Sequence, residues 1–244
     1  MKISVVVPVY NEAGNIIPLL QEITEVLNGR YDYEIIFIND GSADSTADEL
    51  ALAKNQFTSL RVLTHRKSCG QSTSIRSGIK AAKGNVIATL DGDGQNDPAD
   101  IPLLVDKLLH PPQNLHLHMV VGYRKKRCDS GIKRISSKVA NAVRAWLLKD
   151  NTPDTGCGLK VFYRDTFLEL PYFDHMHRFL PALVQRAGLD VASVEVNHRF
   201  RQQGVSKYGT IDRLVAGIID LLGVIWLQHR SRIPEYVEEN DNND

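Results

Sequence analysis

The sequence predicts an α/β fold with a mostly parallel central sheet flanked by helices. Short runs rich in Val and Ile alternate with segments whose apolar residues recur at helical spacing. The first of these runs is nearly continuous in its apolarity, as a strand covered on both faces requires. Polar clusters terminate three of the runs, and in open parallel sheets ligands bind beyond the carboxyl ends of the strands.

In chain order, Ile3 to Val9 is the first strand and stops at Pro8-Val9-Tyr10-Asn11-Glu12. Ile16, Leu19, Leu20, Ile23 and Leu27 share one helical face, with Asn15 as a candidate cap. Tyr33 to Ile38 forms the second strand, which ends in Asn39-Asp40-Gly41-Ser42, and Asp44 is placed to cap the next helix. A short strand over Leu60 to Leu63 precedes a polar loop and a helix around Ser74 to Ala82. Val86 to Thr89 then runs into Leu90-Asp91-Gly92-Asp93-Gly94-Gln95, and Pro98 opens a helix carrying Ile101, Leu104, Val105 and Leu108. A strand over Met119 to Gly122 leads into the basic run Arg124 to Arg127. Ile135 to Leu148 reads as an amphipathic helix, Asp154 to Lys160 as a glycine-punctuated loop before a short strand, and Leu189 to Phe200 as extended. Leu214 to Leu227 is apolar nearly all round, broken by Asp220. Its 14 residues fall short of the roughly 20 that span a bilayer. The expected organisation is a catalytic domain over 1–210, a C-terminal helix over 211–233 and an acidic, disordered tail over 234–244.

Composition narrows the function classes. The chain has 244 residues, 43% of them hydrophobic and 24% charged, which suits one globular core. Lys plus Arg and Asp plus Glu both number 29, so no net field draws nucleic acid. The first strand begins immediately, without the n-region and cleavage site of a signal peptide. Cys69, Cys128 and Cys157 are widely spaced and read as reduced, buried fillers. His116/His118 and His175/His177 lack metal-spaced partners and read as surface or edge-strand histidines.

The chemistry concentrates at Asp91 and Asp93. Two apart on extended backbone, both carboxylates can face one side, and Gln95 adds a third oxygen. Hard oxygen donors suit Mg²⁺ or Mn²⁺. An EF-hand is excluded, because Asn96 and Pro102 stand where that loop needs Gly and Glu. A departing diphosphate needs its charge offset, so the pattern matches a nucleotide-sugar site. Asp40, at the end of an apolar strand, is a candidate acceptor of hydrogen bonds from a base or ribose.

The motifs at Pro8 to Glu12, Asn39 to Ser42 and Leu90 to Gln95, in this order, resemble glycosyltransferase family 2. Arg201-Gln202-Gln203-Gly204-Val205-Ser206-Lys207 and Asp154-Thr155-Gly156 with Leu159-Lys160 narrow the resemblance to the dolichol-phosphate mannosyltransferase and polyprenyl-phosphate glycosyltransferase branch. The resemblance implies a GT-A fold and inverting transfer of a hexose from a UDP- or GDP-sugar to a polyprenyl phosphate. It assigns the nucleoside to Pro8, Tyr10, Asn11, Glu12 and Asp40, and the metal and diphosphate to Asp91, Asp93 and Gln95. Arginine forks suit a phosphate acceptor, which makes Arg124, Arg127, Arg134, Arg201 and Lys207, with Ser137, the candidate acceptor clamp. Arg124, Arg201 and Lys207 are also counted with Asp91 and Asp93 as catalytic. Asn39 departs from the family's usual Asp, and Gly92 and Gly94 replace commoner larger residues, which predicts a looser metal loop. A glycan or lipid A-type acceptor, or a catalytically silent nucleotide-sugar-binding subunit, are the alternatives. The 214–227 helix either packs on the domain or lies in the interface of the cytoplasmic membrane face, helped in the second case by a small membrane-anchoring partner protein.

Overall fold

The computed structural model describes residues 1–124, 144–150, 152–199 and 210–233, with side chains of the last segment described from Gly217 onward. The chain alternates β1 (Lys2–Val9), α1 (Ile16–Leu27), β2 (Asp32–Asn39), α2 (Thr46–Gln56), β3 (Leu60–Thr64), α3 (Gln71–Ala81) and β4 (Val86–Thr89). A 3₁₀ turn at Pro98–Asp100 leads into α4 (Ile101–Leu109), followed by β5 (Leu117–Tyr123), β6 (Lys160–Tyr163) and α5 (Arg164–Glu169). The chain then forms a 3₁₀ turn at Met176–Arg178, α6 (Leu180–Arg186), β7 (Asp190–Glu195) and α7 (Thr210–His229).

The seven strands form one sheet in the order β3-β2-β1-β4-β6-β5-β7. β1 pairs in parallel with both β2 and β4, and β2 with β3. β6 is antiparallel to both β4 and β5, whereas β7 is parallel to β5. The sheet is therefore mostly parallel, with one strand reversed at its middle. Strand order turns around at β1 and β4, which opens a crevice beyond their carboxyl ends.

β1 shows why the apolar run is continuous. Ile3, Val5, Val7 and Val9 enter one core with Leu20 and Ile23 of α1 and Leu104 and Leu108 of α4. Val6 faces the other core, beside Ile36, Ile38, Ile79, Phe162 and Leu183. Both faces are dry, so a strand that alternated polar and apolar residues would bury unpaired polar groups.

A carboxylate at the opposite edge serves architecture. Glu34 is buried, and its oxygens accept from Ser4 Oγ (2.7 Å), the Lys83 backbone N–H (2.6 Å) and the Arg61 guanidinium. Burial would raise its pKa, but the donors from Arg61, Ser4 and Lys83 outweigh burial and hold it below the usual carboxylate value. Glu34→Ala should lower unfolding free energy by about 2–4 kcal/mol, read by urea denaturation, because the donors are left unanswered. Activity per folded molecule should be unchanged.

Candidate active site

The crevice is lined from four elements. Beyond β1, Asn11 takes a left-handed conformation (φ 51°), its backbone N–H donates to Ser42 Oγ (2.9 Å), and its Oδ1 accepts from the Ala43 N–H (2.7 Å). The Glu12 N–H donates to Thr46 Oγ1 (2.9 Å), and Glu12 Oε2 accepts from the Asn15 amide (2.8 Å). The loops after β1 and β2 are thus stitched together, and Tyr10 is left 37% exposed at the mouth. Asn39 does the turn-forming work of the usual Asp, its Oδ1 accepting from the Ser42 N–H (3.0 Å).

Asp40 has a different environment from the one expected of a nucleoside contact. It is 4% exposed, and its carboxylate accepts from His65 Nδ1 (2.7 Å), Ser68 Oγ (2.7 Å), the Cys69 N–H (3.0 Å) and the Gly70 N–H (2.9 Å). Protein donors occupy the lone pairs that a base or ribose would use. Burial would raise its pKa, but the backbone bond from Cys69 and the side-chain bonds from His65 and Ser68 bring it below the ordinary value. Asp40 fixes the loop that opens α3. Asp40, His65 and Cys69 also place ligand atoms within 4.8 Å of one another. His65 Nε2 is bonded to Ser77 Oγ (3.0 Å), so this cluster is already a closed hydrogen-bond hub.

The carboxylates follow β4. The Asp91 N–H donates to Asn96 Oδ1 (3.0 Å), and Asp93 Oδ1 accepts from the Gln95 N–H (3.1 Å). Gly92 does not loosen this loop: a Cβ there would lie 2.5 Å from Val9 Cγ1, so only glycine allows the loop to rest on β1. Gly94 (φ 72°) has open space and supplies a left-handed turn, as expected of a flexible position. Gln95 is held by a strap. Its carbonyl accepts from the Arg199 N–H (3.0 Å), and its side-chain amide reaches the Arg199 carbonyl at 3.5 Å. Arg199 in turn binds Glu22 and Asp97, at 2.6 Å each. The 201–207 motif follows Arg199 in the chain and lies outside the described residues.

The loop before β6 closes the site from behind. A Cβ on Gly158 would fall 2.2 Å from Asp91 Oδ2, so any side chain there would displace that carboxylate. Arg124 grips Asp154 through Nε (2.6 Å) and Nη2 (3.0 Å), both side chains being largely buried. Two of the five Arg124 donors are thereby committed to a neighbouring carboxylate, which fixes the guanidinium in place. Of the other acceptor candidates, Arg127, Arg134, Ser137, Arg201 and Lys207 lie outside the described residues, as do Cys128 and the 234–244 tail. Cys157 is buried as predicted, whereas Cys69 is exposed. His118 sits on strand β5 and bonds Thr166 Oγ1 (2.7 Å), while His175 reaches Asp220 (3.0 Å) and His177 reaches Ser72 (2.7 Å).

Two residues of the site escape the sequence reading of roles. Gln71 donates from Nε2 to Asp91 Oδ1 (2.9 Å), and no spacing rule links it to position 91. Lys160 is 4% exposed, and its ammonium donates to the Cys157 carbonyl. Its signal was legible: a lysine that opens a buried apolar strand must have a partner. Burial lowers its pKa, partly answered by the fields of Cys157, Asp91 and Asp154.

Three carboxylates, Asp91, Asp93 and Asp154, thus face two cations, Arg124 and Lys160. Desolvation, and then repulsion from Asp93, push the Asp91 carboxyl up to about 6, despite Lys160, Arg124 and the Gln71 bond. Hard carboxylate oxygens that outnumber the cations facing them form the charge distribution that a divalent cation relieves, so the donor set fits Mg²⁺ or Mn²⁺.

A sheet that reverses order at a crevice holding paired carboxylates defines the class, a nucleotide-diphospho-sugar transferase of the GT-A type. Glucosyl-3-phosphoglycerate synthase of Mycobacterium tuberculosis, solved with Mn²⁺, UDP and glucosyl-3-phosphoglycerate, matches 96% of this chain and 81% of its own at TM-score 0.69 and 23% identity. The same enzyme with Mg²⁺ and UDP matches at TM-score 0.67, 23% identity and 96% and 80% coverage. These likenesses concern the fold. The chain belongs to glycosyltransferase family 2, whose profile, Glycosyl transferase family 2, matches residues 4–170. It is similar to the dodecaprenyl-phosphate galacturonate synthase of Rhizobium johnstonii, 33% identical over 240 residues, 95% of this chain and 69% of that one. It is also similar to the undecaprenyl-phosphate 4-deoxy-4-formamido-L-arabinose transferase of Pseudomonas fluorescens, 32% identical over 223 residues, 90% of this chain and 63% of that one. The chain thus spans about two thirds of the length of these polyprenyl-phosphate glycosyltransferases.

The Asp91 shift sets a pH dependence. The metal-free folded state holds a proton to about pH 6 that the unfolded chain releases near 3.8. Its stability contribution is therefore lost as pH rises through that window. Mn²⁺ competes for the same oxygens, so it should raise the melting temperature strongly at pH 7.5 and weakly at pH 5. Thermal unfolding with Mn²⁺ or EDTA across pH reads this, and a Mn²⁺ shift independent of pH would contradict it.

Proposed function

We propose that the chain transfers a glycosyl group, with inversion, from a nucleotide-diphospho-sugar to a polyprenyl phosphate at the cytoplasmic face of a membrane. The observation that carries this reading is the Asp91/Asp93 pair at the β1/β4 crevice, in a chain whose sequence also bears the acceptor motifs of the family. The relatives named above act on galacturonate and on a formamido-arabinose, which widens the expected hexose to a glycosyl group at large.

Asp91 and Asp93, with Gln95 beside them, would hold Mg²⁺ or Mn²⁺. When bound, that ion supplies charge neutralisation to the departing diphosphate. Tyr10 at the mouth, with Pro8, Asn11 and Glu12, frames the nucleoside, and Asp40 keeps the 65–70 loop in place beside it. Asp154, held by Arg124, and Lys160 form the wall behind Asp91. An oxygen of the acceptor phosphate attacks the anomeric carbon as the bond to the diphosphate breaks, and the bonding pair leaves with the nucleotide. The acceptor oxygen is already anionic, so no general base has to remove a proton. What the protein must supply is alignment and relief of repulsion between two phosphates. Arg201 and Lys207, assisted by Arg127, Arg134 and Ser137, take that task in this reading.

The test is a panel of UDP- and GDP-sugars with undecaprenyl phosphate and Mn²⁺, scored for lipid-linked product. Asp93→Asn should reduce turnover by at least about 10³-fold while the fold is retained by circular dichroism. Arg201→Ala should raise KM for the acceptor at least tenfold and leave nucleotide affinity within about twofold. A loss of nucleotide affinity with unchanged acceptor kinetics would move Arg201 to the donor side.

A further inference from the structure

Helix α7 packs on the domain along one side and is exposed along the other. Val224 is fully buried in the second core, with Leu221, Ile225 and Leu227 packed against it. Asp220 accepts from His175 (3.0 Å), and the Gln228 amide donates to the Leu148 carbonyl (2.9 Å). One side of the helix is therefore anchored to the domain.

The other side is apolar and bare. Ile218 is 51% exposed, Ile219 64%, Leu222 61% and Trp226 60%. At about 100° per residue these four side chains fall within one sector roughly 100° wide, turned away from the anchored positions. Exposed Arg230 and Arg232 follow directly. A second exposed tryptophan, Trp146 (79%), lies on the 144–148 segment that Gln228 ties to this helix. No described helix is long and apolar enough to cross a membrane. A helix anchored along one side, with an aliphatic and tryptophan stripe along the other and arginines at its end, has the make-up of an interfacial element.

A run of contacts joins this side of the molecule to the site. His175, bound to Asp220 of α7, lies in the same loop as Tyr172, whose hydroxyl bonds Thr73 Oγ1 (2.7 Å) and whose ring carries the Arg76 guanidinium (4.3 Å). Thr73 is in the first turn of α3, two residues after Gln71, which holds Asp91.

We propose that the Ile218–Ile219–Leu222–Trp226 face of α7, flanked by Arg230 and Arg232, docks onto an anionic lipid surface and sets the catalytic crevice at the height of a lipid-borne acceptor phosphate. This rests on the lipid-acceptor reading of the site. The occupant is a bilayer and not a second protein, because the stripe ends in two exposed cations and carries an aromatic ring suited to the headgroup region. A partner-protein interface would be expected to deplete charge at its centre and supply a shaped pocket.

Sedimentation with phosphatidylcholine vesicles containing phosphatidylglycerol tests this without any turnover. The full chain should co-sediment, about tenfold more weakly on neutral vesicles. Ile219→Gln/Leu222→Gln should reduce partition at least tenfold with an unchanged melting temperature. In Trp146→Phe, which leaves Trp226 as the sole tryptophan, brominated lipid should quench the fluorescence. Turnover of long-chain acceptor in vesicles should fall in step with partition in the double variant, whereas turnover of a short, water-soluble isoprenyl phosphate should not. Absence of partition, absence of quenching, or self-association that buries Trp226 instead would overturn the proposal. Vesicle binding without transfer to any acceptor would uphold this surface and overturn the proposed function.

Discussion

Burial of Asp91 beside Asp93 is the constraint around which the site is assembled. The Asp91 carboxylate would rather face water, yet the loop before β6 brings Gly158 against it, and the charge of Asp93 adds to the cost of its burial. The neighbourhood answers with partial measures: a Gln71 amide, the Lys160 ammonium, and an Arg124 guanidinium already shared with Asp154. None of these fully neutralises the pair. A site left short of positive charge in this way is prepared for a divalent cation, and the unfavourable electrostatics are held in place by the folding of two dry cores around β1.

The sequence showed the sheet well because both faces of β1 are covered, and double burial writes itself as unbroken Val and Ile. It showed Asp91 and Asp93 because an acidic pair at the end of a buried strand is conspicuous. It did not show that β6 runs antiparallel between β4 and β5, since a four-residue strand carries no direction in its composition. Nor did it separate carboxylates by duty. Asp40 and Glu34 both occupy apolar strands or their ends, yet one braces a loop beside the crevice and the other braces the far edge of the sheet.

Arg124 illustrates the same limit from the cationic side. An arginine next to a basic run reads as a phosphate ligand, and nothing near it in the chain announces that Asp154, 30 positions away, takes two of its donors. Long-range pairing of this sort leaves no periodic trace. Gly92 shows a converse case, in which a residue that looks like slack is demanded by Val9 on the neighbouring strand.

The reversed strand has an evolutionary consequence. β5 leaves the sheet at the crevice edge, and β6, running the opposite way, re-enters at that same edge. Arg124 and Asp154, 30 positions apart, therefore meet at one wall of the crevice. A change in the length of the chain joining them leaves the register of β4 untouched, because that strand is set by β1 and β6. The frame that presents Asp91 can thus be inherited while the connection beside it varies.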